Sequence, residues 1–145
     1  MDQLPKRDVS AELERRFEAL ARRNEQLVEM RMSVHERHTQ ALFVKSGREM
    51  HEVAKEMLGE VSHIHGTGDH SVHVVLAPSD CEKIIESGWG QRHELDGVGA
   101  MKYLAGFTLP VNYVLLYAPR DAEELDIVME TVRASIAFMT GGDVA

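Results

Sequence analysis

The sequence predicts an α+β domain: an antiparallel sheet of about four strands with helices packed on one face, preceded by a long N-terminal helix. Three observations carry that expectation. A stretch free of Gly and Pro, from Ser10 to about Leu42, is dominated by Glu, Arg, Ala and Leu. Between Val61 and Ala77 the apolar pattern changes from helical to alternating, on either side of the turn-forming Gly66-Thr67-Gly68-Asp69. Short hairpin-linked strands with helices at intervals suit an antiparallel sheet covered on one face.

The first stretch is filled with strong helix formers, so one long helix is expected, with Ser33 its weakest point. Leu13, Phe17, Leu20, Asn24, Leu27, Arg31, Val34, His38 and Ala41 follow the 4-3 spacing of heptad a and d positions. Such a stripe lies on the domain's own core or pairs with a second copy. Three polar members weaken it as a dimer seam, although Asn24 is the residue type that fixes register in one. Residues 1–46 are thus expected to form an N-terminal helical segment and 47–145 the α+β domain, as one folding unit.

Gly47 separates a second helix, about Arg48 to Leu58. Val61–His65 and Ser71–Ala77 then alternate as the strands of a β-hairpin, and Pro78 stops the second. Ser79-Asp80-Cys81-Glu82 has the capping-box pattern and opens a short helix to about Ser87, ended by Gly88. Arg92–Leu95 is a candidate strand, and Asp96–Leu109, with its three glycines, a long loop. Val111–Ala118 is apolar on both sides, as in a strand buried on both faces. Asp121, with Glu124 three residues on, caps a last helix whose apolar side is Leu125, Val128, Val132, Ile136 and Phe138.

Charge and composition narrow the function classes. With 24 acidic against 16 basic side chains the net charge is −8, which repels phosphate backbones and anionic lipid, so neither a nucleic-acid nor a membrane partner is expected. Met1–Arg16 lacks the apolar core of a signal peptide and no run of about 18 apolar residues occurs, so a cytoplasmic protein is expected. Cys81 is the only cysteine, which excludes an intrachain disulfide and a cysteine-rich metal site. No glycine-rich dinucleotide fingerprint, P-loop or nucleophile-elbow motif is present, and no nucleotide cofactor is expected.

The chemistry concentrates on the hairpin. Alternation puts Ile64, Val72, Val74 and Leu76 on the core face, so His63, His65 and His73 project together from the other. Convergent imidazoles move protons at neutral pH or bind a borderline metal. His63, His65, His73 and His93 are therefore the candidate catalytic residues. The first three are also candidate ligands of a divalent transition metal, with Asp69, His93 or water completing the site. Trp89, Tyr113 and Tyr117 are candidate walls of a substrate pocket, and Arg120 a candidate partner for a substrate carboxylate. Plainer readings stand beside these: solvated histidines, aromatic core packing, a surface ion pair at Arg120 and an inert buried thiol at Cys81.

His63-Ile64-His65, Asp69-His70-Ser71-Val72-His73, Leu76-Ala77-Pro78-Ser79-Asp80 and Gly88-Trp89-Gly90 with His93 occur in an order that resembles the small luciferase-domain family of fungal and actinobacterial proteins. Leu109-Pro110, Tyr113 and Tyr117-Ala118-Pro119-Arg120 extend the same pattern, so the resemblance spans about Gly59 to Thr140 and leaves the N-terminal helix outside. Gly66-Thr67-Gly68 departs from the His-Pro type of turn common in that family. The resemblance implies a shared fold and a shared His/Trp/Tyr/Arg surface without fixing a reaction. The leading expectation is a small-molecule enzyme, with specialised metabolism as one setting for it, that uses the histidines for acid–base chemistry. The competing expectations are a non-catalytic module that binds a ligand or protein and forms a homodimer through the N-terminal helix, and a metal-dependent enzyme with a three-histidine site.

Overall fold

A computed structural model describes residues 7–34, 36, 39–66, 69–92 and 113–145. In chain order the elements are α1 (Arg7–Arg23), β1 (Val28–Met32), β2 (Gln40–Val44), α2 (Glu52–Glu56), β3 (Glu60–Ile64), β4 (Val72–Val75), α3 (Pro78–Glu86), β5 (Gly90–Arg92), β6 (Tyr113–Leu116) and α4 (Ala122–Thr140). Among the described residues the strands form one antiparallel sheet in the order β1-β2-β3-β4-β6-β5, six strands where about four were expected. Among the described residues no helix is long and apolar enough to cross a membrane.

The helix expected from Ser10 to Leu42 ends at Arg23, and the described remainder of the expected helical segment 1–46 is mostly an antiparallel strand pair. Asn24 sets the stop. Its Nδ2 donates to Leu20 O at 2.9 Å, its backbone N–H is shared between Leu20 O and Ala21 O, and Leu27 and Val28 N–H turn back onto its carbonyl. A side chain that satisfies the last carbonyls of a helix favours a turn there over another turn of helix. The Glu, Met and Arg of β1 are good helix formers, but pairing with the fully buried Ala41–Val44 run outweighs their preference. Leu13, Phe17 and Leu20, the start of the expected seam, are buried in the domain's own core against α4.

Helix α4 lies across the centre of the sheet on Val128, Val132, Ile136 and Met139. Its buried Ser135 hydroxyl lies 2.7 Å from Val75 O and 3.1 Å from Val61 O, and accepts from Val75 N–H. Asp121 Oδ1 caps the helix on Glu124 N–H as expected, and Gly141, at φ +70°, closes it.

Two other starts differ from expectation. The helix expected over Arg48–Leu58 shrinks to α2, because His51 Nδ1 accepts from Ala54 N–H at its start, while Leu58 and Gly59 both turn to positive φ at its end. Helix α3 begins one residue before the capping-box position: Pro78 occupies the first turn, where its missing N–H costs nothing, and Ala77 is the N-cap, so Ser79 sits inside the helix. Gly88, at φ +77°, follows the helix end as expected.

Gly90 fixes how closely β5 meets β6. A methyl group there would stand 2.5 Å from the backbone oxygen of Leu115 and 3.3 Å from Ile84 Cγ2. The near wall is backbone of the paired strand, which cannot retreat without breaking the ladder. Gly90→Ala is expected to lower unfolding free energy by about 1–3 kcal/mol. Urea denaturation checks this, and an unchanged midpoint would contradict the close approach.

Candidate functional site

The hairpin register does what alternation requires. His63 stands directly opposite His73, with Ile64 opposite Val72 and Ser62 opposite Val74. The two imidazoles stack, with ring centroids 4.5 Å apart and planes 16° from parallel. His65, one residue past the end of β3, meets His73 edge-on at 6.3 Å. On β6, Leu115 pairs with His73 and Tyr113 is its diagonal neighbour, which brings the Tyr113 hydroxyl to 3.0 Å from His73 Nδ1. The expected convergence of His63, His65 and His73 is therefore present in the structure, with Tyr113 joined to it.

Two carboxylates complete the cluster, and sequence reasoning missed both. Glu60 Oε2 lies 2.9 Å from His63 Nδ1, and its Oε1 accepts from Val34 N–H at 2.8 Å. Strict alternation would put Glu60 with Ser62 on the helix-facing side. A β-bulge prevents this: Leu42 pairs with Ser62 but Phe43 pairs with Glu60, so Val61 is the extra residue. The shift turns Val61 into the core cluster and Glu60 toward His63. Glu36, between β1 and β2, places Oε2 at 3.3 Å from His63 Nε2 and Oε1 at 3.1 Å from His65 Nε2. The sheet face expected to be open is closed over His63, which is buried together with Glu60 and Tyr113. Burial first, and then the charges of Glu60 and Glu36, push the Tyr113 phenol well above its usual pKa.

Asp69 lies on the solvent side, its Oδ1 3.6 Å from His65 Nδ1 and accepting from Ser71 N–H at 2.9 Å. Partial burial works to raise its pKa, but the Ser71 hydrogen bonds and His65 prevail and hold it below the usual range.

The other candidates lie elsewhere. Trp89, Tyr117 and Arg120 line a cleft of about 50 Å³ with Glu124 and Val128, which none of the three histidines lines. The Arg120 guanidinium is paired with Glu124, an exposed contact that lowers the Glu124 pKa. His70 faces Glu14 of α1 at 3.3 Å. Cys81 is buried with its Sγ 3.7 Å from Leu76 O. His93, and the loop expected over Asp96–Leu109, lie outside the described residues. For the metal expectation, both nitrogens of His63 face carboxylates, and among the described residues no group of three or more His, Cys, Asp or Glu side chains is arranged to hold an ion.

The family model for the luciferase domain matches residues 58–135, more than half of the chain. The chain belongs to the luciferase-domain family. Luciferases of Armillaria mellea and Armillaria gallica are each 31% identical to it over 126 residues, covering 81% of this chain and 45% of theirs. The luciferase of Neonothopanus nambi is 37% identical over 90 residues, covering 62% of this chain and 32% of its own. The chain thus spans less than half the length of these curated relatives. No solved structure matches it significantly. The matched part of the luciferase domain holds Glu60, His63, His65, His73 and Tyr113, while Glu36 comes from the preceding segment.

The raised Tyr113 pKa has a definite pH consequence. The folded state holds the phenolic proton more tightly than the unfolded chain, so its contribution to stability is complete below about pH 10 and is lost as pH rises above that value toward the folded pKa. In an alkaline titration followed by tyrosinate absorbance, Tyr113→Phe is expected to remove no signal from the folded protein at about pH 10.5, the difference emerging only on unfolding. A tyrosinate signal lost from the folded protein in this variant would contradict the burial.

Proposed function

We propose that the domain is a small-molecule enzyme working by acid–base chemistry, in which His73 exchanges a proton with a substrate that is a carbon acid and Tyr113 donates a hydrogen bond to the charge that develops. The observation that carries this reading is the paired His73 and Tyr113 beside two further imidazoles and two carboxylates, in one connected group. An imidazole accepts and returns protons near neutral pH, and a phenol kept protonated by burial donates a hydrogen bond to a developing negative charge. The relatives bear an enzyme's name, which favours catalysis over binding alone. Acid–base chemistry is preferred to a three-histidine metal site because the nitrogens of His63 are directed at Glu60 and Glu36. Trp89, Tyr117 and Arg120, in their own cleft, are not assigned to the reacting group.

Mass spectrometry of small molecules that co-purify with the protein identifies ligand classes, and solvent-deuterium incorporation into those compounds then reports proton exchange directly. His73→Ala is expected to slow incorporation by roughly 10²–10⁴-fold with an unchanged far-ultraviolet spectrum, and Tyr113→Phe to slow it less. Wild-type rates in His73→Ala would refute the assignment. Unfolding of both variants would return the cluster to a structural role.

A further inference from the structure

The side chains around His63 form a chain rather than a clump. Glu60 Oε2 meets His63 Nδ1 at 2.9 Å, and His63 Nε2 meets Glu36 Oε2 at 3.3 Å. Glu36 Oε1 then meets His65 Nε2 at 3.1 Å, and His65 Nδ1 faces Asp69 Oδ1 at 3.6 Å. Carboxylate and imidazole alternate, each ring uses one nitrogen inward and one outward, and each oxygen of Glu36 serves a different ring. Side-chain exposure rises at every step, from 1% at Glu60 and 2% at His63 to 20% at Glu36, 42% at His65 and 56% at Asp69.

We infer that Glu60, His63, Glu36 and His65 are a proton relay joining the buried end of the site to solvent. The buried Glu60 carboxylate already meets Val34 N–H and His63; the extension from His63 through Glu36 to a half-exposed imidazole adds no contact to Glu60 itself. An imidazole can accept a proton at one nitrogen and release another from the opposite one, and a carboxylic acid can accept at one oxygen as it donates the proton it holds on the other. A proton that enters at His65 Nδ1 displaces the Nε2 proton onto Oε1 of Glu36 in its acid form, and the proton already on Glu36 Oε2 passes to His63 Nε2 in the same step. His63 then releases its Nδ1 proton to the Glu60 carboxylate. One proton has moved inward, no bond other than N–H and O–H has changed, and the reverse passage restores every ring without rotation.

The relay gives the acid–base reading a way to manage charge, and it rests on that reading for its purpose though not for its test. His63 lies stacked on His73, and two stacked rings resist carrying charge together. When His73 takes a proton from substrate, a proton leaves the His63 set outward through Glu36 and His65. Substrate loses one proton, solvent gains one, and the buried cluster keeps its net charge. His63, Glu60 and Glu36 are positioning residues in this scheme, acting through the proton balance of the pair that meets substrate.

The test is run on the whole chain without substrate. Histidine ring protons are observed by nuclear magnetic resonance on nitrogen-labelled protein, with exchange measured by saturation transfer from water. In the wild type the His63 ring proton is expected to exchange rapidly despite its burial. Glu36→Gln, which keeps the shape but cannot pass a proton, and His65→Gln, on the accessible side, are each expected to slow it by roughly a hundredfold. The His51 ring, held 2.8 Å from Phe138 O at another edge of the domain, serves as a folding control and is expected to be unaffected. If Glu36→Gln also disturbs His51, the surface variant decides. Slow His63 exchange in the wild type, or exchange no slower in His65→Gln, overturns the relay while leaving the deuterium test of the reacting pair untouched. Failure of that deuterium test in turn leaves a positive relay result standing.

Discussion

Glu60 puts a carboxylate where almost no water reaches it, and the neighbouring structure is arranged to meet its needs. A buried carboxylate costs several kcal/mol unless hydrogen bonds and an opposing charge compensate it. Val34 N–H and His63 Nδ1 supply those contacts at 2.8 and 2.9 Å. Each also ties a separate piece of chain to the site: Val34 follows β1, and His63 lies in the hairpin that faces Tyr113 through His73. The bulge that aims Glu60 simultaneously seats Val61 in the core beneath α4, so the residue that supports the site and the residue that supports the fold are neighbours set by one irregularity.

This arrangement explains which parts of the molecule were legible in the sequence. Alternation on β3 and β4 correctly separates Ile64, Val72 and Val74 from His63 and His73, because the pairing there is regular. Asp121 marks the start of α4 by local chemistry that tertiary contacts do not disturb. Glu60 was hidden because a bulge reverses the parity on which the reading depends. Glu36 was hidden because it lies in a stretch whose composition favours helix, while a buried partner strand decides otherwise. Asn24, a plausible register residue for paired helices, ends the helix instead by bonding its own preceding carbonyls. Trp89, Tyr117 and Arg120 share a sequence neighbourhood with the site but belong to a different cleft, a distinction that depends on where α4 crosses the sheet.

The stretch that contributes Glu36 and the N–H of Val34 precedes the family-model match, but it lies within the 81% of the chain that aligns with the Armillaria luciferases. The connection between β1 and β2 therefore does more than extend the sheet: it brings two polar partners to the buried end of the cluster.

Glu60 and His63 act as one interacting unit, and a double-mutant cycle measures this most directly. Unfolding free energies of the wild type, Glu60→Gln, His63→Asn and the double variant give the coupling between the two side chains. A coupling of about 1–3 kcal/mol is expected, with the double variant far less damaged than the sum of the single ones. Additivity within about 0.5 kcal/mol would contradict it, because two groups in a buried hydrogen bond cannot be removed independently.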